Sequence, residues 1–225
     1  MAAQMPMPFT HAPSYAPADF VHAESNAEAC RMLEDPSQWP QPVMALVGEE
    51  GSGKTHYFHW LASRHAHRWI AAAQVGSAPA ETLLFAPLLH MLDDAESVRD
   101  EAAFAQLINH ARATATPLLL AFRTPPSRVA VALADLRSRL NALPIAEFRA
   151  PDDALLAHVL AKEFADRQWR VAPEVLQFLL TRLPRRLASI RRFVEEADRH
   201  AMAEGRALTL PFARALLQQQ EVLDV

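Results

Sequence analysis

The sequence predicts an α/β fold in which a parallel sheet of five strands is covered by helices and followed by a small all-helical lid domain. Three observations predict it. The octapeptide Gly48-Glu49-Glu50-Gly51-Ser52-Gly53-Lys54-Thr55 sits between an apolar run, residues 43–47, and an apolar-periodic segment that starts at Tyr57. That is the strand–turn–helix setting a G-x-x-x-x-G-K-[ST] loop requires. Apolar runs near 68–72, 87–92, 118–122 and 145–148 then alternate with helical patterns, as in a parallel sheet with covered faces. Beyond Ala150 only helical patterns remain.

The loop is the most specific signal. The chain has five glycines and two lysines, and three of those glycines and one of those lysines fall within these eight residues. Gly48, Gly51 and Gly53 let the backbone curl around Ser52 so that amides face a phosphate chain, and the next helix adds the positive end of its dipole. Lys54 would reach the β/γ-phosphates and the Thr55 hydroxyl would ligate Mg²⁺. The strand at 87–92 delivers Asp93-Asp94. Asp93 would hold Mg²⁺ through water, and Asp94 would orient or activate an attacking water. The plainer role for Asp94 is an N-cap on the next helix.

Composition sets the bounds. At 225 residues, 51% hydrophobic and 21% charged, the sequence is that of a globular domain or of a core plus an accessory module. A single cysteine, Cys30, excludes a disulfide framework and fits a reducing cytoplasm. No apolar run approaches the roughly 18 residues of a membrane span, and the N-terminus lacks the pattern of a secretory signal. A net charge of −4 argues against a protein that coats nucleic acid, so strong duplex DNA binding is not expected. The ten histidines have one cysteine and no acids at ligand spacing, which offers no metal centre of their own. His56, His59, His65 and His67 are expected on one helix.

Residues 1–18 read as a mobile, Pro-rich tail in which Met5, Met7 and Phe9 alternate with prolines. A nucleotide-binding domain follows over 19–150. Ser25 or Asn26 would cap a helix to about Leu33, and the helix after the loop would run to about His67. Helical spacing of Phe104, Leu107, Ile108 and Ala111 predicts a helix over 102–114. Pro125-Pro126 stops the fourth strand, and a helix ends in Asp135-Leu136-Arg137-Ser138-Arg139-Leu140. In the lid, 151–225, helices open at Asp152-Asp153, Pro173, Pro184 and Leu210-Pro211. Arg182, Arg185, Arg186, Arg191 and Arg192 cluster there, either as a solvated face or as a site for phosphates or an acidic partner.

In order and spacing, residues 18–218 resemble the AAA+ module of the DnaA-related family. The resemblance rests on the loop, on His56 directly after it, and on the acid-tipped strand and Pro125-Pro126. Phe20-Val21 before Ser25-Asn26 and the Leu136–Leu140 segment complete it. It implies that Phe20 and Val21 line the adenine pocket and that Arg139 is an arginine finger; the plainer role for Arg139 is to satisfy carbonyls at a helix end. Gln4-Met5-Pro6-Met7-Pro8-Phe9 resembles the hexapeptide that binds the replication sliding clamp. A lid-terminated module behind such a peptide is similar to the Hda branch of the family, the regulatory inactivators of DnaA.

The resemblance thus implies a resident ADP or ATP with Mg²⁺, the sliding clamp and DnaA as partners, and negative regulation of replication initiation. Self-association is left open. Two departures stand out. Ala188 occupies the place where the family's lid presents an arginine to the nucleotide, with Arg185 and Arg191 nearby, and Arg123 replaces an acid after the fourth strand. They imply weak or absent ATPase activity of the protein's own. Two other classes compete: a free-standing P-loop ATPase or small-molecule kinase, and a replication initiator or helicase loader.

Overall fold

The computed structural model describes residues 15–86, 88–204 and 208–223. They form two compact units that meet in sequence at Ala150–Pro151.

The first unit is a five-stranded parallel sheet, β1 (Val43–Val47), β2 (His67–Trp69), β3 (Leu89–Leu92), β4 (Leu118–Phe122) and β5 (Ile145–Glu147), in the order β2-β3-β4-β1-β5. Strand β1 is fully sheltered because β4 pairs along all of it, Val43 with Leu118 through Val47 with Phe122, while β5 pairs on its other side. Side chains on a strand alternate between faces, and here both faces are apolar. Val43, Ala45, Val47, Leu118, Leu120 and Phe122 enter one core layer. Met44, Leu46, Leu119 and Ala121 enter the other.

Helices cover both layers. The first layer is closed by α4 (Glu101–Ala113), through Phe104, Leu107, Ile108 and Ala111, and by α5 (Ala134–Asn141), through Leu136 and Leu140; the short helix α3 (Ala80–Leu83) adds Leu83. The second is closed by α1 (Glu24–Leu33), through Ala29, Cys30 and Leu33, and by α2 (Lys54–Ala62), through Tyr57, Phe58 and Leu61. Burial pushes the Cys30 thiol up to about 12, with a smaller contribution from Glu34, so it is neutral and inert at physiological pH.

Several local expectations are corrected. Helix α1 is capped at Ala23: the Asn26 side chain, on the third helical residue, accepts from the Ala23 amide at 2.9 Å and donates to the Val21 carbonyl at 2.9 Å, while Ser25 is buried within the helix. Helix α2 stops at Ala62, where the Ser63 hydroxyl folds back on the Trp60 carbonyl at 2.7 Å, so His65 and His67 do not share a helix with His56 and His59. The second strand covers 67–69 rather than 68–72, although the Ile70 amide still donates to Met91 at 2.8 Å.

Among the described residues the second unit contains four helices: α6 (Asp153–Asp166), α7 (Pro173–Arg182), α8 (Leu187–Glu204) and α9 (Leu210–Leu223). Asp152 caps α6 by accepting from the Leu155 amide at 2.7 Å. Its core contains Leu156, Leu160, Phe164, Val175, Leu179, Ile190, Phe193, Val194, Ala213 and Leu216, and Trp169 stacks on Phe164 with 6.0 Å between centroids. Among the described residues no helix is long and apolar enough to cross a membrane.

Candidate functional site

In a parallel sheet all strands end on one side, and ligands bind where the chain crosses from one neighbour to another. Here β1 returns through β2 past two intervening strands, and the 48–55 loop, Asp93, Asp94, Arg123 and Phe148 all gather at that side.

The loop has the backbone its glycines predict. Gly51 and Gly53 have φ of 72° and 99°, a region that favours glycine. Gly48 is needed for closeness instead: a Cβ there would stand 2.6 Å from Ser52 Oγ and 3.0 Å from Phe148 Cβ. Gly53 then starts α2 with no side chain placed over its first amides. The end of the helix is therefore built for an anion.

Lys54 is 9% exposed and its ammonium donates to the carbonyls of Gly48 at 2.6 Å and Glu49 at 2.9 Å. Burial holds its pKa below the ordinary lysine value, and the nearby Asp93 carboxylate works against that shift. The Thr55 hydroxyl donates to Asp93 Oδ2 at 2.6 Å across 38 residues of sequence. The two groups expected at the metal are thus brought together, and a hydroxyl beside a carboxylate is the hard oxygen donor set that suits Mg²⁺.

Asp94 has φ 53° and ψ 50°, and its amide donates to Asp93 Oδ1 at 2.9 Å. It stands at the N-cap of a short 3-10 turn, Ala95–Ser97, but makes no side-chain cap bond. Its Oδ1 lies 3.5 Å from Arg123 Nε, and Arg123 also reaches Glu50 of the loop at 3.5 Å. Glu96 holds the exit of β4: its Oε1 accepts from the Arg123 and Thr124 amides, both at 2.9 Å. Sequence spacing did not reveal Glu50 or Glu96, because their partner sits more than 25 residues away and is adjacent only once the sheet is assembled.

The segment before α1 lies over α2. His56 bonds the Ala16 carbonyl at 2.9 Å, and Tyr15 stacks on His59 at 5.0 Å. Phe20 packs with Tyr57, Trp60 and Phe148, with centroids 5.4, 5.9 and 6.4 Å away, and Val21 spends its carbonyl on Asn26. Phe20 and His56 are in ring contact at 5.6 Å. The aromatic cluster of Tyr57, Trp60 and Phe148 was not singled out from sequence; the three-residue spacing of Tyr57 and Trp60 on α2 and the contact with Phe148 just past β5 supply it.

Arg139 is bound to Asp135 one turn earlier on α5, Nε to Oδ2 at 3.0 Å and a terminal nitrogen to Oδ1 at 2.7 Å. It caps no carbonyl among the described contacts. Helix α5 is anchored at its start by Glu101 of α4, which accepts from the Ala132 amide at 2.9 Å and the Leu133 amide at 2.6 Å. In the lid, Arg185 pairs with Asp153 and Arg191 reaches Glu163 at 3.3 Å, so the two arginines named beside Ala188 are engaged by lid acids. Gln4, Met5, Met7 and Phe9 lie outside the described residues.

Residues 153–217 match the family described as the Hda lid domain. The chain is similar to domain III of the Thermotoga maritima replication initiation protein DnaA, with a TM-score of 0.76 at 16% identity, covering 92% of this chain and 97% of that one. Residues 153–217 thus resemble an Hda lid, and the chain as a whole shares the fold of DnaA domain III. The same fold is present in AMPPCP-bound DnaA from Aquifex aeolicus (TM-score 0.67, 16% identity, 83% of this chain and 66% of that one). It is also present in the RuvB Holliday junction branch migration motor of Thermotoga maritima (TM-score 0.64, 14% identity, 86% and 67%). An uncharacterized protein of Haemophilus influenzae is 27% identical over 230 residues, covering 96% of this chain and 99% of that one. The likeness to solved structures speaks for the fold, and the site must be argued from its own residues.

The Ala132 and Leu133 amides hold the Glu101 carboxyl below its ordinary value of 4.5. A carboxylate depressed on folding contributes stability that is complete above its unfolded value and is lost as pH falls through its folded value. Amide exchange at Ala132 and Leu133 is therefore expected to accelerate as pH is lowered below 4.5, beyond the intrinsic pH effect. Glu101→Gln should show the faster, unprotected behaviour already at neutral pH; equal protection in that variant would remove the anchor from the account.

Proposed function

We propose that this protein holds ADP or ATP as a resident ligand and uses the resulting shape to present Arg139 to ATP bound by DnaA, which limits replication initiation. The observation that carries the proposal is the 2.6 Å bond between Thr55 and Asp93, which unites the loop hydroxyl with the acid-tipped strand beside a buried lysine. Lys54, the loop amides and the α2 N-terminus would hold the phosphates, Thr55 and Asp93 the Mg²⁺, and Phe20, Val21 and His56 the base side. Bound nucleotide supplies fixed charge and shape to the domain; the chain's own residues orient it and offer the finger.

Energetics favour release of Arg139 to a partner. An i,i+4 ion pair on a helix is worth only about 0.3–0.5 kcal/mol. An arginine supplied in trans to a transferring phosphoryl group is worth on the order of 10³–10⁵ in rate, or roughly 4–7 kcal/mol. The weak pair with Asp135 is readily given up for the strong one. The pairing of Asp94 with Arg123 further supports weak or absent turnover of the protein's own nucleotide. Gln4, Met5, Met7 and Phe9 would bind the sliding clamp and raise the local concentration of the finger near newly copied DNA.

Three outcomes test this reading. Lys54→Ala should lower ADP and ATP affinity by at least roughly tenfold in equilibrium titration; unchanged affinity would remove the nucleotide site. Arg139→Ala should fold normally and bind nucleotide yet lose on the order of 10³-fold stimulation of DnaA-bound ATP hydrolysis, and full stimulation by the variant would dismiss the finger. Deleting residues 4–9 should abolish capture by immobilised clamp while nucleotide affinity stays the same. Retained capture would free the tail of that role.

A further inference from the structure

The lid carries a pocket between two of its own helices. Phe178 and Arg182 are one turn apart on α7, and Arg214, Leu217 and Gln218 line one face of α9. The two faces enclose a pocket of about 230 Å³ lined by these five residues. Both guanidiniums lie over the same ring, Arg214 at 5.4 Å and Arg182 at 5.9 Å from the Phe178 centroid. Beneath it Val175, Leu179, Ala213 and Leu216 belong to the lid core, so the pocket walls are rigid.

Charge separates these two arginines from their neighbours. Arg185 is paired with Asp153, and Arg191 and Arg167 share Glu163. Arg182 and Arg214 have no carboxylate partner among the described residues and make only the ring contacts. Two like charges held against one ring repel each other, and an anion placed between them relieves that repulsion while gaining charge-assisted hydrogen bonds. Phe178 and Leu217 leave apolar surface beside the anion position, and Gln218 adds an amide donor.

We propose that this pocket receives an acidic side chain flanked by an aliphatic one, carried on a segment of a partner protein. Arginine and aromatic residues around a small apolar pocket are the composition of binding hot spots. The volume is below the roughly 300–1,000 Å³ of small-molecule sites, which points to an anchor of one or two side chains. Nucleic acid fits less well. A base needs an open aromatic face to stack on, and here the guanidiniums lie over the ring; the chain as a whole is also acidic, at −4.

The test uses the full ¹⁵N-labelled chain titrated with the peptide acetyl-Glu-Leu-Glu-amide. Its neutral counterpart acetyl-Gln-Leu-Gln-amide, inorganic phosphate and a thymidine hexanucleotide serve as comparisons. The acidic peptide is expected to shift the side-chain Nε–H signals of Arg182 and Arg214 and the amides of Leu217 and Gln218. The neutral peptide should bind at least roughly fivefold more weakly, and added salt should weaken the acidic one. Arg182→Gln and Arg214→Gln should each erase the preference for the acidic peptide, while Arg182→Lys keeps part of it. The proposal is overturned if the acidic peptide causes no shift at these residues, if both peptides bind equally, or if phosphate or the oligonucleotide binds more tightly than the peptide. Should a glutamine variant unfold the lid, the comparison of the two peptides on the unaltered chain still decides.

Discussion

A single hydrogen bond, donated by a hydroxyl to a carboxylate, ties the candidate site to the sheet. Thr55 stands in the first turn of α2 and Asp93 just past the end of β3, and their 2.6 Å bond fixes the turn against a strand that is not its neighbour. The bond reaches across the interposed β4, and β1 beneath the loop is sheltered along its whole length on both core faces. Gly48 shares in this constraint: its missing Cβ lets Ser52 and Phe148 close on the loop. The phosphate loop is thus held from three sides, by its own helix, by β3 and by the end of β5.

Around that fixed point the charges are unevenly committed. Lys54 is buried and satisfied by carbonyls that a phosphate chain could replace. Arg123 is exposed, and its two contacts at 3.5 Å are the loose surface kind that contribute little. Arg139 is gripped by two bonds on α5, a helix anchored at its start by Glu101. Lys54 and Arg139 are therefore held by separate supports within the α/β unit.

The strands and the loop were legible because their signals are local: a Gly-rich octapeptide, apolar runs, and helical periodicity in 102–114 that the structure places at Glu101–Ala113. What escaped was set by partners distant in sequence. Glu96 and Glu101 read as ordinary surface acids, yet each satisfies two backbone amides about thirty residues downstream. The cap of α1 escaped for a subtler reason: Asn26 does bond the helix start, but from inside the first turn, so the cap itself is an alanine. Helix α2 ran shorter than its pattern because no glycine or proline marks Ser63, whose hydroxyl ends it by turning on its own helix. In the lid, five clustered arginines read as one patch, and only folding distinguished Arg185 and Arg191, which are matched to acids, from Arg182, which shares a ring with Arg214.

The two outermost strands, His67–Trp69 and Ile145–Glu147, are the shortest of the sheet at three residues each. Brevity at the rim leaves too little unpaired backbone for another polypeptide to extend the ladder. Any assembly of the α/β unit with a neighbour then depends on helices and side chains, where recognition can be selective, rather than on main-chain pairing that accepts almost any sequence.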